Sequence, residues 1–290
     1  MPTAELTILN SMAGSDFAGQ LAFHRQHGLT SMDLKNEIYG HWTAEVPLDV
    51  ASRAQAEIKE ANLAVHCMST SIFFDSIDEG LAVFQKKHLG RFDHVIELAR
   101  IFRPKFIRVT AAQLLTRTEA NAIADIRRDH AWVFDVYREV IDRAYEAGFN
   151  LTIENEVRQC FLSRTHEFLE FFHELDREGR VSLTWDVQNQ WSTGVFPTVE
   201  VYEQLKPLIR YCHFKGGSAE LPGGALAWNA ALEETSWPVV AIAERAVTDD
   251  VSPVICLNPP QHGKAKPGYD YDAVTVRDIN FLRENVRGIA

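Results

Sequence analysis

LTIENE (151–156), VSLTWDVQN (181–189) and YCHFKGG (211–217) are the segments of the chain that decide its fold class. Each is a short apolar run that carries, at or near its end, a residue able to bind a cation: Glu154, Asp186 and His213. None of the runs alternates cleanly between apolar and polar residues, which is typical of strands buried on both faces of a parallel sheet. In a closed α/β barrel all strand C-termini point to one rim, so we expect these three side chains to converge.

The rest of the chain repeats this alternation of strand and helix eight times. Strands are predicted at about 5–10, 31–36, 63–69, 105–111, 151–155, 181–186, 211–215 and 253–258. No glycine-rich nucleotide-binding motif follows any of them, which counts against an open doubly wound sheet. With no second zone of composition, the pattern predicts one (β/α)8 TIM barrel domain over residues 1–290.

Helix boundaries are predicted from caps and apolar periodicity. The clearest helix has Val133, Val136, Tyr137, Val140, Ile141 and Ala144 on one face. Asn62 is expected to end one helix in the left-handed conformation, and Pro104 to stop another. Thr165, Thr198 and Ser236 are predicted N-caps, whereas the polar segment from 112 to 130 is predicted to be a rim loop.

Composition limits the classes of partner. The 290 residues carry a formal net charge of −11, so the electrostatic attraction behind non-specific nucleic-acid binding is missing and no nucleic-acid partner is expected. No apolar run approaches membrane length and the N-terminus lacks a signal pattern, which predicts a cytoplasmic protein without membrane contact. The four cysteines lack metal-site spacing and are interpreted as small buried hydrophobes. A homo-oligomer is compatible with the composition.

The converging side chains suggest a metal site. Two carboxylates and one neutral imidazole suit a divalent ion such as Mn²⁺, Mg²⁺ or Co²⁺. We therefore predict that Glu154, Asp186 and His213 share one ion, and Zn²⁺ is a further possible occupant.

These residues, together with VICLNPP (254–260), give the chain a resemblance to the xylose isomerase-like TIM-barrel superfamily. That superfamily includes ketose 3-epimerases, inosose dehydratases, hydroxypyruvate isomerases and metal-dependent apurinic endonucleases. The resemblance implies that the ends of strands five to eight bind one Mn²⁺ or similar ion. Carried over position by position, the ligands are Glu154, Asp186, His213 and Asn258.

The chain departs from the family pattern at three positions. Asn189 stands where a histidine is frequent, Gly216 where an aspartate is frequent, and Asn258 where the fourth ligand is a glutamate. The first two departures argue against a multi-metal endonuclease. The third makes one anionic ligand neutral, which predicts weaker metal binding.

Asn258 also bears on the reaction. In the epimerases of the family two glutamates flank the substrate carbon and exchange its proton from opposite faces, and an amide cannot accept a proton from carbon. The expected function is a divalent-metal-dependent isomerase or epimerase of a small sugar or sugar-derived keto compound. A dehydratase or lyase acting on a keto sugar or inosose, and a non-catalytic sugar-binding barrel with a degraded metal site, are the alternatives. Glu154 or Glu156 is the predicted base, and Lys215 is expected to stabilise a developing enolate.

Further polar or aromatic residues near strand ends are expected to contact a carbohydrate substrate. They are Lys35, His66, Arg108, Asn189 and Trp191. For His66 and Arg108 a structural role inside the barrel is an equal alternative, and for Trp185, Trp191 and Trp228 core packing competes with stacking on a sugar.

Overall fold

A computed structural model describes residues 2–118, 120–157, 159–221, 224–228, 231–259 and 270–290. Pro260, which ends the VICLNPP segment, lies outside these residues. Eight parallel strands form the centre of the molecule. They are β1 (Glu5–Ile8), β2 (Ser31–Lys35), β3 (Ala64–Ser69), β4 (Phe106–Thr110), β5 (Asn150–Glu154), β6 (Val181–Asp186), β7 (Ile209–Phe214) and β8 (Val254–Leu257).

The sheet closes on itself. Strands β2 to β8 pair with their neighbours in chain order, and β1 pairs with β8. Between β1 and β2, Leu9 forms a parallel bridge with Asp33, and the Thr7 hydroxyl donates to the Ser31 carbonyl at 2.6 Å. The predicted (β/α)8 barrel is confirmed.

Helices surround the barrel. They are α1 (Phe17–Gln26), α2 (Leu48–Glu60), α3 (Leu81–Phe102), α4 (Ala122–Asp129), α5 (Trp132–Glu146), α6 (Thr165–Leu175), α7 (Val187–Ser192), α8 (Val199–Leu205), α9 (Val239–Thr248) and α10 (Tyr271–Asn285). Among the described residues, none of these helices combines the length and the apolar character that crossing a bilayer requires.

Two layers of apolar side chains hold the fold together. The outer layer packs helix stripes against the strands, and the stripe predicted on α5 is buried throughout. The inner layer fills the barrel with Leu9, Cys67, Phe106, Tyr211, Val254 and Cys256. All four cysteines are buried and unpaired, as expected for small hydrophobic residues.

Several predicted helix ends are confirmed and others are wrong. Asn62 adopts a φ of 57°, and the Thr198 hydroxyl accepts from the Val201 amide at 3.2 Å. Thr165 is instead the first helical residue of α6, because Arg164 has the extended cap conformation. Ser236 bonds to the backbone of Ala219 and does not cap α9.

The polar segment from 112 to 130 contains a helix that the sequence analysis placed in a loop. Helix α4 forms there because the Asn121 side chain accepts hydrogen bonds from the amides of Ile123 and Ala124, at 2.9 and 3.3 Å. Its residues Ala122, Ile123 and Ile126 are buried. A short stripe of apolar residues was therefore enough to order this part of the rim.

Candidate metal centre

Glu154, Asp186 and His213 lie at the C-terminal ends of three adjacent strands. The middle strand, β6, carries Asp186, which pairs in register with His213 of β7. On its other side β6 pairs with β5, and Thr184 is opposite Glu154. All three side chains are fully buried. One ligand atom from each lies within 4.8 Å of the others. The structure therefore brings together the three residues that the strand pattern singled out.

Glu154 is held between two cationic groups. Its Oε1 lies 2.8 Å from His213 Nδ1, and its Oε2 lies 2.6 Å from Arg108 Nη1. Within the described residues neither Arg108 Nη1 nor Glu154 Oε2 makes a directional hydrogen bond, so their contact is a close ion pair. Arg108, one of the predicted substrate contacts, is only 2% exposed, and its closest ionic partner is Glu154.

Asp33 lies on the other side of His213 from Glu154, and it was not among the site residues predicted from the sequence. Its Oδ2 lies 3.4 Å from His213 Nε2 and accepts a hydrogen bond from the Tyr211 hydroxyl at 2.9 Å. A buried aspartate in the middle of the apolar run SMDLK was the signal available in the sequence. A second group of possible ligands, Asp33, His213 and Cys256, shares this imidazole.

The pKa values follow from these contacts. Burial by itself lowers the pKa of His213, but the Glu154 charge, the Asp33 carboxylate 3.4 Å away and the hydrogen bond to Glu154 raise it to about 9. Burial favours protonated Glu154, yet the charges of Arg108 and His213 bring its pKa below the ordinary value. For Asp33, too, burial raises the pKa, but His213, Ser69 and Arg108 together bring it below the ordinary value. Without a metal ion, the centre holds an imidazolium between two carboxylates.

Asp186 is fixed by the turn that follows its strand. Its Oδ1 accepts from the Asn189 amide at 2.9 Å, which makes it the N-cap of α7, a helix not predicted from the sequence. The Asn155 side chain bonds both backbone groups of Asp186, at 2.8 and 2.9 Å. Asn189 Nδ2 donates to the Asn155 carbonyl at 3.0 Å. The carboxylate is therefore held rigidly at the rim.

Lys215 and Asn258 both contact the second oxygen of Asp186. Lys215 Nζ lies 2.8 Å from Asp186 Oδ2, and Asn258 Nδ2 donates to the same oxygen at 2.9 Å. Asn258, the residue at the fourth ligand position, thus reaches the centre and presents an amide hydrogen to Asp186. Lys215 also donates to Asn189 Oδ1 at 3.0 Å.

A cavity of about 540 Å³ opens beside this cluster. Lys35, Arg108 and Glu156 line it together with Trp42 from a short hairpin (Glu37–Ile38 and His41–Trp42). Glu156 Oε1 lies 3.6 Å from Arg108 Nη1. Burial and the neighbouring Glu154 charge raise the pKa of Glu156. Two of the predicted substrate contacts therefore share a cavity with a carboxylate of raised proton affinity.

His66 and two of the tryptophans lie away from that cavity. The His66 ring is 4.8 Å from Tyr211 and 5.6 Å from Phe106, inside the barrel, and burial lowers its pKa to about 4. Trp185 points outward, where its Nε1 donates to Gln190 Oε1 at 2.8 Å. Trp191 is buried to 4% exposure and donates to the Gly224 carbonyl at 3.1 Å. Trp228 lies nearer the centre, with Lys215 Nζ 5.5 Å from its ring centroid.

Comparisons of sequence and structure differ in what they find. No family model and no curated protein matches the chain by sequence. A magnesium-bound xylose isomerase-like TIM barrel protein from Mycobacterium smegmatis superposes with a TM-score of 0.69 at 15% identity, over 98% of this chain and 96% of that one. A D-allulose 3-epimerase from Methylomonas sp. gives 0.71 at 13%, over 99% of each chain. The probable 3-DHS dehydratase of Bacillus anthracis gives 0.70 at 16%, over 97% and 98%.

The chain has the xylose isomerase-like barrel fold. This result confirms the fold that the resemblance implied. At these low identities the likeness concerns the fold, and the chemistry has to be argued from the side chains of this chain.

The donor set of this xylose isomerase-like barrel fits a divalent ion. Two buried carboxylates and an imidazole within 4.8 Å provide oxygen and nitrogen donors of the kind that Mg²⁺, Mn²⁺ and Zn²⁺ accept. Asp33 beside His213 Nε2 resembles the carboxylate partner that orients metal-binding histidines in many proteins. The fit is incomplete at Asp186, where Lys215 and Asn258 already occupy one oxygen.

Proposed function

We propose that this protein is a divalent-metal-dependent enzyme that moves a proton next to the carbonyl group of a small sugar-derived compound. The observation that carries the proposal is the convergence of Glu154, Asp186 and His213 beside a cavity lined by Glu156. Glu154, Asp186 and His213 would hold the ion, which would supply a Lewis acid for a substrate carbonyl. Mn²⁺ or Mg²⁺ is the proposed ion, with Co²⁺ and Zn²⁺ as further candidates.

Glu156 is the better candidate for the base. Arg108 and His213 stabilise the anionic form of Glu154, so Glu154 has little tendency to take a proton from carbon. Glu156 lines the cavity, and its raised pKa makes it a stronger proton acceptor. Glu154 is accordingly proposed as a ligand, and Glu156 as the residue that abstracts and returns the proton.

The remaining polar groups would bind and orient the substrate. Lys35 and Arg108 line the cavity and suit hydroxyl or anionic oxygen atoms. Lys215, whose Nζ lies 2.8 Å from Asp186 Oδ2, would stabilise negative charge on the substrate, including that of a developing enolate. Asn189 positions Lys215 through its carbonyl oxygen. For His66 and Trp191, whose rings pack inside the protein, we propose supporting roles instead of direct contact.

A one-base reaction agrees best with Asn258. The amide donates to Asp186 and has no group that accepts a proton from carbon, so a two-base epimerisation finds no second base at this position. Isomerisation of an aldose to a ketose needs one base and is the function we favour. Elimination of water from a keto sugar or inosose also needs one base at carbon, and it is the second candidate for the same reason.

Exchange of a substrate proton with solvent tests the proposal. The protein with added Mn²⁺ would be incubated in D₂O with a panel of aldoses, ketoses and inososes, and deuterium next to the carbonyl would be followed by NMR. We expect incorporation with at least one compound, accompanied by isomer or by dehydrated product. Glu156→Gln should reduce the exchange about 100-fold or more, the usual size of a general-base contribution.

Glu146→Gln is the matched control, because Glu146 is exposed at the end of α5, far from the rim. This variant should exchange at the rate of the unaltered protein. Absence of exchange across the panel with every divalent ion tested would exclude the proposed enzyme and favour a sugar-binding barrel.

A further inference from the structure

Both oxygens of the Asp186 carboxylate already accept from groups of the protein itself. Oδ1 accepts from the Asn189 amide, and Oδ2 receives both the Lys215 ammonium at 2.8 Å and the Asn258 amide at 2.9 Å. Every one of these partners is a hydrogen-bond donor. A metal ion that needs Asp186 Oδ2 as a ligand must therefore compete with the Lys215 ammonium.

Lys215 is held firmly in this position. Its side chain is 8% exposed, its ammonium donates to Asn189 Oδ1 at 3.0 Å, and it lies 5.5 Å from the centroid of the Trp228 ring. A buried ammonium with a carboxylate, an amide oxygen and an aromatic face around it is a built feature of the site. A surface lysine that touches the carboxylate by chance would not have these contacts.

A divalent ion and the ammonium cannot share Asp186 Oδ2 at low cost. Like charges a few ångströms apart in a buried site repel strongly, and both would draw on the same oxygen lone pairs. Once displaced, the ammonium stays buried and needs a new anionic partner. Glu156, a carboxylate of the adjacent cavity, is already contacted by Arg108, whose Nη1 lies 3.6 Å from Glu156 Oε1.

We propose that Lys215 occupies Asp186 until a divalent ion binds together with a substrate whose carboxylate or phosphate group takes over the ammonium. The proposal rests on the metal-dependent function argued above and adds a substrate class to it. Lys35, which lines the adjacent cavity, offers a second ammonium to the same class of substrate, whereas the charge of Arg108 is balanced by Glu154 and Glu156. Metal and anionic substrate are then expected to bind cooperatively, each increasing the affinity of the other.

Mn²⁺ affinity, measured by calorimetry and by the EPR signal of free Mn²⁺, tests the first half of the proposal. Lys215→Met should bind Mn²⁺ at least about tenfold more tightly than the unaltered protein, because the competing cation is gone. Lys35→Met is the matched control: it removes the same charge near the site without touching Asp186, so its gain should be much smaller. Lys215→Arg keeps the charge and should show no gain, and a thermal melt verifies that each variant is folded.

The second half of the proposal, the class of substrate, is tested by adding sugars of different charge. Mn²⁺ titrations would be repeated with D-ribulose, with D-ribulose 5-phosphate and with 2-keto-D-gluconate, so that neutral, phosphate and carboxylate compounds are compared. We expect at least one of the two anionic compounds to raise the Mn²⁺ affinity of the unaltered protein roughly 5–150-fold, the usual range of coupling between sites. The neutral ketose should have little effect, and the enhancement should be lost in Lys215→Met.

The outcomes separate the two proposals. Equal or weaker Mn²⁺ binding by folded Lys215→Met overturns the inference about Lys215 and leaves the metal-dependent function standing. Equal enhancement by neutral and anionic compounds overturns the proposed substrate class. Failure of all variants to bind Mn²⁺ overturns both.

Discussion

His213 Nε2 lies 3.4 Å from Asp33 Oδ2, although the two residues belong to strands on different sides of the barrel. Both side chains are fully buried. Asp33 therefore lies where it orients the imidazole through Nε2, which leaves Nδ1 to face Glu154. Four predictions concern this pair and its neighbours, and a fifth, on Asp278, separates two parts of the pH dependence.

Asp33→Asn should weaken Mn²⁺ binding about 10–100-fold, the usual effect of removing the carboxylate that orients a metal-binding histidine. The substitution keeps an oxygen near Nε2 but removes its charge, so the pKa of His213 should fall from its raised value. Calorimetry and NMR titration of the His213 ring measure the two effects. Asp49→Asn, at an exposed position in α2, is the control. An unchanged His213 titration in Asp33→Asn would contradict the role given to Asp33.

The metal-free protein should lose stability as the pH rises from about 6.5 to 9. The pKa of His213 is raised to about 9 in the folded state, so its contribution to stability is complete below the unfolded value of about 6.5 and disappears as the pH rises through 9. Urea unfolding at several pH values measures the loss. A flat or rising free energy of unfolding across this window would contradict the prediction.

Asp278 provides an internal comparison for that experiment. Burial raises the pKa of Asp278 to about 7, while its Oδ1 accepts from the Leu232 amide at 2.7 Å. Asp278 also loses its contribution to stability as the pH rises. The loss occurs at lower pH, from its ordinary pKa of about 4 up to the raised value of about 7. Asp278→Asn should therefore flatten the lower part of the curve and leave the part above pH 7 that belongs to His213.

Asn258→Glu should tighten Mn²⁺ binding, because an anionic oxygen replaces a neutral amide next to Asp186. In the metal-free protein the same substitution places two carboxylates together and should lower the melting temperature. Asn258→Gln, which stays neutral, should produce neither effect. Calorimetry and thermal melts with and without Mn²⁺ distinguish the variants. Equal or weaker Mn²⁺ affinity in the Glu variant would show that residue 258 is not at the fourth ligand position.

Arg108→Met should destabilise the metal-free protein by about 3–5 kcal/mol, the usual cost of removing one partner of a buried ion pair. Glu154 would lose the guanidinium 2.6 Å from its Oε2, and its pKa should rise toward the ordinary range. Urea unfolding at neutral pH measures the loss. Arg127→Met, which breaks exposed contacts to Glu170 and Glu174, should have a much smaller effect. Similar losses in the two variants would contradict the importance assigned to the Arg108–Glu154 pair.

The fold was predictable from the chain because its signals are local. Apolar runs without alternation, separated by helical stripes such as that of α5, specify strands covered on both faces. Parallel strands in a closed barrel end at one rim, so the strand-end positions of Glu154, Asp186 and His213 already implied that they would meet. The helices at 122–129 and 187–192 were missed because they are short and depend on the side chains of Asn121 and Asp186 as caps.

The sequence by itself determined the barrel and the three residues that converge at its rim. Only the tertiary structure decided that Asp33 faces His213, that Arg108 pairs with Glu154, and that Lys215 and Asn258 share one oxygen of Asp186. Strand order fixes which residues reach the rim, whereas the partner of each buried charge depends on rotamers and hydrogen-bond directions. Rotamers and hydrogen-bond directions are set by side chains from strands that are far apart in the sequence. A buried charge needs a partner, and only the closed barrel decides which group lies close enough to be that partner.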